Sequence, residues 1–150
     1  MRIAIGGDHC GVELKAMLID YLRSQGHEVT DHGAYDHTPI DFPDMAVKVC
    51  ASILNGEADR AIMSCGSGIG AAIACNKIPG IRASVVHDWY SAHQSVEHDD
   101  VQVMCMGQWI VGEKLAYDLV DCFLKSEFST DESFRRKVRK LEVMDGKLKG

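Results

Sequence analysis

Cys65 stands directly behind the apolar run Ala61-Ile62-Met63-Ser64 and opens the stretch Cys65-Gly66-Ser67-Gly68-Ile69-Gly70. A strand that ends on a thiol and turns into a helix through alternate glycines sets a tunable base beside exposed peptide N–H groups. That equipment suits removal of a carbon-bound proton while negative charge develops on oxygen, as in moving a carbonyl between C1 and C2 through an enediolate. The turn lacks the Lys-Ser/Thr ending of a nucleotide-binding P-loop, and no clear acidic ribose ligand follows it. Two other readings of the thiol stay open. It could be the nucleophile of acyl transfer, which needs an imidazole partner such as His9, His87 or His98, or a small buried core residue.

Further polar groups surround this junction in the chain. Asp8-His9 follows Gly6-Gly7 at the end of the first strand, where Asp8 can hold a ligand hydroxyl and His9 a ring oxygen or phosphate. The pair can equally cap the helix after Gly11. His98-Asp99-Asp100 precedes the fifth strand, and a histidine titrating near neutrality suits proton transfer during opening of a sugar ring. A hydrogen-bonded turn residue is the plainer reading of His98. No compact ligand spacing among the histidines and carboxylates makes a metal site.

These residues need a scaffold. Apolar runs predict strands over residues 3–5, 27–31, 60–64, 82–86 and 101–105. Between them, amphipathic patterns predict helices over residues 12–24, from Pro43 to Leu54, over 68–75, 89–96 and 112–125, and a charged helical segment at about 131–144. Continuous apolar strands separated by helices predict a mostly parallel five-stranded sheet in a Rossmann-like three-layer α/β/α sandwich, one domain over residues 1–150. In such a sheet, Asp8, Cys65, His87 and the region before Val101 should gather beyond the strand ends.

Composition narrows the partners. The chain has 150 residues, 46% of them hydrophobic, and a formal charge of -6 without a basic aromatic surface, which disfavours nucleic acid. No apolar run is long enough to span a membrane, no secretion signal opens the chain, and cysteines placed in apolar periodic segments imply a reduced compartment. The expected location is the cytoplasm. The one basic concentration, Arg135, Arg136, Lys137, Arg139 and Lys140, is either a solvated helix face or a phosphate clamp.

Taken together, Gly7-Asp8-His9, Asp41-Phe42-Pro43, Cys65 to Gly70, Asn76-Lys77-Ile78-Pro79-Gly80-Ile81-Arg82 and His98-Asp99-Asp100 resemble the type B ribose-5-phosphate isomerase and galactose-6-phosphate isomerase family. The resemblance implies a Rossmann-like subunit without metal or organic cofactor, forming a homodimer or dimer of dimers with active sites between subunits. It implies that Cys65 carries the proton between C2 and C1, and that Gly66, Gly68, Ile69 and Gly70 hold the enediolate oxygens. It implies further that Ser67 orients substrate or proton transfer, that His98 opens the furanose ring, and that Asp8 and His9 bind the sugar. Three departures bear on the ligand. Asp99 stands where the family commonly has asparagine, Trp109 where a phosphate-site arginine precedes Val-Val-Gly or Ile-Val-Gly, and the usual Gly-Gly-Arg-His segment is absent around Asp131-Glu132-Ser133-Phe134. Arg136 and Arg139 are the replacements expected to meet a distal phosphate. The expected activity is aldose–ketose isomerisation of ribose 5-phosphate and ribulose 5-phosphate or a related sugar phosphate. An unphosphorylated or different-length sugar, and a noncatalytic sugar-phosphate sensor, are the alternatives.

Overall fold

The structure, a computed structural model, describes residues 1–146. Five strands, β1 (Arg2–Gly7), β2 (Glu28–Asp31), β3 (Arg60–Cys65), β4 (Ala83–Val85) and β5 (Val103–Gly107), form one sheet in the order β2-β1-β3-β5-β4. Every neighbouring pair is parallel. Helices α1 (Val12–Ser24), α2 (Phe42–Leu54), α3 (Ile69–Asn76), α4 (Trp89–Asp99) and α5 (Glu113–Lys125) follow the five strands in turn, and α6 (Glu132–Met144) closes the described chain. The expected Rossmann-like three-layer sandwich is what forms.

Alternation along the strands explains the layers. Ile3 and Ile5, Ile62, and Met104 and Met106 pack with residues of α1, α4 and α5. Ala4, Ala61 and Met63, and Val103 and Cys105, face α2 and α3 on the other side. Both faces are covered, so the strands carry unbroken apolar runs rather than an apolar–polar alternation. Cys50 and Cys75 lie in the second layer, where the neighbouring thiols, Cys75 beside Cys50 and Cys105 beside Cys75, and then burial push both thiols upward and disfavour their thiolates. No helix among the described residues is long and apolar enough to cross a membrane.

The edge strand β2 is secured by charge. Lys15 of α1 is almost fully buried, and its Nζ lies 2.7 Å from both carboxylate oxygens of Asp31. Asp31 also accepts the Gly33 amide at 2.9 Å. Lys15→Met should lower stability by about 2 kcal/mol, and Asp31→Leu by about 3 kcal/mol, because the second change strands the deeper charge without its partner. Urea midpoints of the two variants check the order; a reversed order would refute it.

Some boundaries differ from those expected. The fifth strand covers Val103–Gly107 rather than residues 101–105, and α4 runs on to Asp99 instead of stopping near 96. Asp100 ends α4 in a left-handed conformation, φ 48°, and Val101 and Gln102 serve as connector. Side-chain apolarity marks Val101 as a strand residue, yet its amide bonds back to Ser95 of the helix. His98 is therefore a helix residue and not part of a turn.

Candidate active site

Adjacent strands send their connections to opposite faces at the carboxyl ends of β1 and β3: α1 leaves on one side and α3 on the other. The crevice left between them is where ligands bind in sheets of this kind. The register places the polar groups in a row across it. Gly7 pairs with Ser64, so Asp8 stands one step further, level with Cys65. Cys65 pairs with Gly107, and continuation of the β4–β5 register brings His87 level with Gly107. At strand spacing of about 4.8 Å, the row Asp8, Cys65, Gly107, His87 spans about 14 Å.

The turn after Cys65 is built on glycine geometry. Gly68 has φ +80° and forms the N-cap of α3, a conformation that a side chain would strain. It directs its amide at the Cys65 Sγ, 2.8 Å away. Ser67 Oγ lies 3.4 Å from the Ile69 amide, while the amides of Gly70 and Ala71 meet no acceptor among the described residues. A thiol only 5% exposed thus adjoins the open, positive end of a helix dipole. Phe42 packs on Gly70 from α2, and the Trp109 ring lies against Gly66, where a Cβ would come within 2.5 Å of it. Trp109 is otherwise 73% exposed and presents its remaining surface beside the turn.

Asp8 is buried and its Oδ1 accepts the Cys10 amide at 2.9 Å. It shapes the loop before α1 rather than capping the helix, whose N-cap Gly11 receives no side-chain bond. His9 Nδ1 accepts the Ile40 amide at 3.2 Å, which leaves its other ring nitrogen outside that bond. Cys10, the second thiol here, is pushed upward by burial and then by Asp8 and Cys65, which disfavours its thiolate. His87 Nε2 accepts the Gly107 amide at 2.9 Å, so the neutral ring carries its proton on Nδ1. Burial pulls this histidine below its ordinary value of 6.5, with Asp88 opposing the effect.

The residues expected to form one site divide into two groups. Asp8, His9, Cys65, Gly66, Ser67, Gly68, Ile69, Gly70 and Trp109 lie at the carboxyl edge of the sheet. His98 and Asp99 end α4, and α4 runs back from that edge, so they lie at the amino edge. The expectation that the region before Val101 joins Asp8, Cys65 and His87 is thereby corrected: in a parallel sheet the residues preceding a strand and those following one occupy opposite edges. Val103 to Gly107 alone separates the two levels by about 13 Å. His98 stacks on Phe134 of α6 with ring centroids 3.8 Å apart, and α6 also carries the exposed Arg136 and Arg139. Arg139 is paired with Glu132.

The site reading overlooked Gly107 and Gln108. Gln108 donates its amide to the Cys65 carbonyl at 2.8 Å, and its side chain accepts from Leu14 and donates to Glu13 at the start of α1. Placing the strand end at residue 105 concealed both. A fifth apolar run extended by its methionines, Met104 and Met106, was the available signal.

The carboxyl edge of the sheet thus carries a thiol against an open helix terminus, flanked by a carboxylate and imidazoles. Residues 3–141 match the model of the Ribose/Galactose Isomerase family, and the chain belongs to that family. It is 43% identical over 147 residues to Ribose-5-P isomerase B of Listeria innocua, covering 98% of this chain and 99% of that one. D-erythrulose-4-phosphate isomerase of Pectobacterium atrosepticum is 40% identical over 131 residues, 85% of each chain. Among solved structures, Ribose-5-Phosphate Isomerase B of Clostridium thermocellum superposes with a TM-score of 0.95 at 41% identity, covering 98% of this chain and 99% of that one.

Proposed function

We propose that the chain interconverts ribose 5-phosphate and ribulose 5-phosphate through an enediolate, without metal or organic cofactor. The observation that carries this reading is the Gly68 amide held 2.8 Å from Cys65 Sγ at the open end of α3. In the aldose-to-ketose direction, Cys65 takes the proton from C2 as the C2–H electron pair forms the C1–C2 double bond and charge moves onto O1. The amides of the turn from Gly66 to Gly70 hold that charge while the hydroxyl proton on O2 passes to O1 with Ser67 orienting the transfer; the O2 electron pair then forms the C2 carbonyl as the C1–C2 double-bond pair takes the proton back from Cys65 at C1. Asp8 and His9 hold the sugar.

Ring opening and phosphate binding fall to the other group. One chain cannot bring His98 to its own Cys65 across the sheet, and a second copy can. In this reading the partner's His98 opens the furanose ring, and the partner's Arg136 and Arg139 meet the phosphate, with Asp99 at the rim. The same pairing covers the exposed Ile69, Ile73, Trp109 and Ile110 around the turn.

Trp109 favours a second reading, a shorter sugar phosphate, because its indole occupies space beside Gly66 and offers no charge. The isomerase acting on D-erythrulose 4-phosphate named above is compatible with that substrate class. Real-time NMR on ribose 5-phosphate, erythrulose 4-phosphate, galactose 6-phosphate and free ribose separates the readings. Ribose 5-phosphate should turn over with kcat/KM about 10-fold or more above the others. Erythrulose 4-phosphate in first place would establish the shorter substrate, and no isomerisation of any would refute the catalytic reading.

A further inference from the structure

We propose that His87 is a positioning residue for the Cys65 turn, acting through the backbone of Gly107; the kinetic part of this inference rests on Cys65 being the base. Strand β4 is short, Ala83–Val85, and its ladder with β5 ends where Val86 donates to the Cys105 carbonyl at 3.0 Å. The next β5 amide facing it belongs to Gly107. The chain is by then entering α4, so no backbone carbonyl is offered, and His87 Nε2 takes the place of one at 2.9 Å.

What this bond secures is the floor under the anion turn. A Cβ on Gly107 would lie 2.7 Å from the Ser67 Cα and 2.8 Å from the Gly66 carbonyl oxygen. One on Gly68 would lie 3.2 Å from backbone atoms of Met106. The peptide units from Cys105 to Gly107 and the turn are thus in direct backbone contact, with no side chain between them to absorb a shift. Beyond the floor, the same segment is stitched to the turn by the Gln108 amide on the Cys65 carbonyl, 2.8 Å, and the Trp109 amide on the Gly66 carbonyl, 3.2 Å. The β3 ladder fixes one side of Gly107 and His87 fixes the other.

Displacing that floor moves the Gly68 amide relative to Cys65 Sγ, and donors aimed at a developing charge lose their effect with small displacements. Asp88 does not compete for the ring's place, since its carboxylate accepts from the Ser91 amide and hydroxyl at 2.8 and 2.6 Å. The neutral ring favoured by burial is the form that can accept from Gly107.

The test compares His87→Leu, which fills the space without an acceptor, with His87→Gln, whose amide oxygen reaches the Nε2 position. Steady-state isomerisation of ribose 5-phosphate is measured together with NMR-detected hydrogen exchange of the Gly68 and Gly107 amides. His87→Leu should lower kcat about 10-fold with KM within about twofold, and His87→Gln should regain most of the loss. Exchange at Gly68, which His87 does not touch, should accelerate about 10-fold in the leucine variant and return in the glutamine variant. A leucine variant with wild-type Gly68 exchange reduces His87 to a strand cap, and a glutamine variant as impaired as leucine removes the acceptor role; either overturns the proposal. If the wild type isomerises no sugar phosphate, the catalytic reading of Cys65 fails on its own, and Gly68 exchange alone decides the case for His87.

Discussion

Cys65→Ser is expected to lower kcat on ribose 5-phosphate about 10³-fold while KM changes by less than about threefold. Serine is nearly isosteric and can still accept the Gly68 amide that now reaches sulfur at 2.8 Å, so the turn should keep its shape. What the hydroxyl cannot do is hold and release a proton near neutral pH, because its anion is far less accessible than a thiolate. The loss should therefore fall on the proton-transfer step and leave Asp8 and His9 in place. Cys122→Ser on α5, away from the crevice, supplies the thiol control. Loss of solvent deuterium incorporation at C1 and C2 should accompany the fall in kcat. A serine variant with wild-type turnover would remove Cys65 from the reaction.

The second large effect concerns His98. His98→Ala should slow turnover of the ring-closed substrate about 10²-fold, the usual scale for a general acid or base. Since His98 and Cys65 lie at opposite edges of one sheet, the two defects should complement each other between chains. Mixing inactive Cys65→Ser and His98→Ala proteins, with subunit exchange, should restore about a quarter of wild-type activity. With two chains paired as proposed, half of the dimers would then be mixed, and each mixed dimer would have one site carrying both defects and one carrying neither. No recovery after demonstrated exchange would exclude His98 from the site. Removing the imidazole also deprives Phe134 of its stacking partner at 3.8 Å, so a thermal melt must accompany the kinetics. His98→Gln, which keeps a polar planar group against Phe134, should remain as slow as alanine if proton transfer is the role.

These two expectations differ in how far the chain itself announced them. The strand, thiol, glycine turn and helix at Cys65 are contiguous, and their geometry follows from local preferences: an apolar β-run, then glycines where left-handed φ and open amides are required. The alternation that assigns Ile3 and Ile5 to one layer and Ala4 to the other is likewise local. The fifth strand was displaced by two residues because Val101 is buried in both readings, and burial does not report whether a residue's amide joins a sheet or a helix end. Gly107 escaped notice for the same reason, and with it the contact that gives His87 a role.

Sequence order also brought Asp8, Cys65 and the segment around His98 together as a single list, and only the fold divided them. Strand order, register and the direction of each crossover are set by contacts between residues far apart in the chain, and a linear pattern does not encode which sheet edge a residue reaches. By itself the sequence determined the layered parallel architecture and the meeting of a thiol with glycine amides at Cys65-Gly66-Ser67-Gly68, since both arise from short-range periodicity and backbone preference. The tertiary structure decided that Asp8, Cys65, Gly107 and His87 share one row while His98 stands at the other edge, stacked on Phe134 of α6. The physical reason is that neighbours in a parallel sheet are chosen by long-range packing, and a helix returning across the sheet separates residues that follow a strand from those that precede the next.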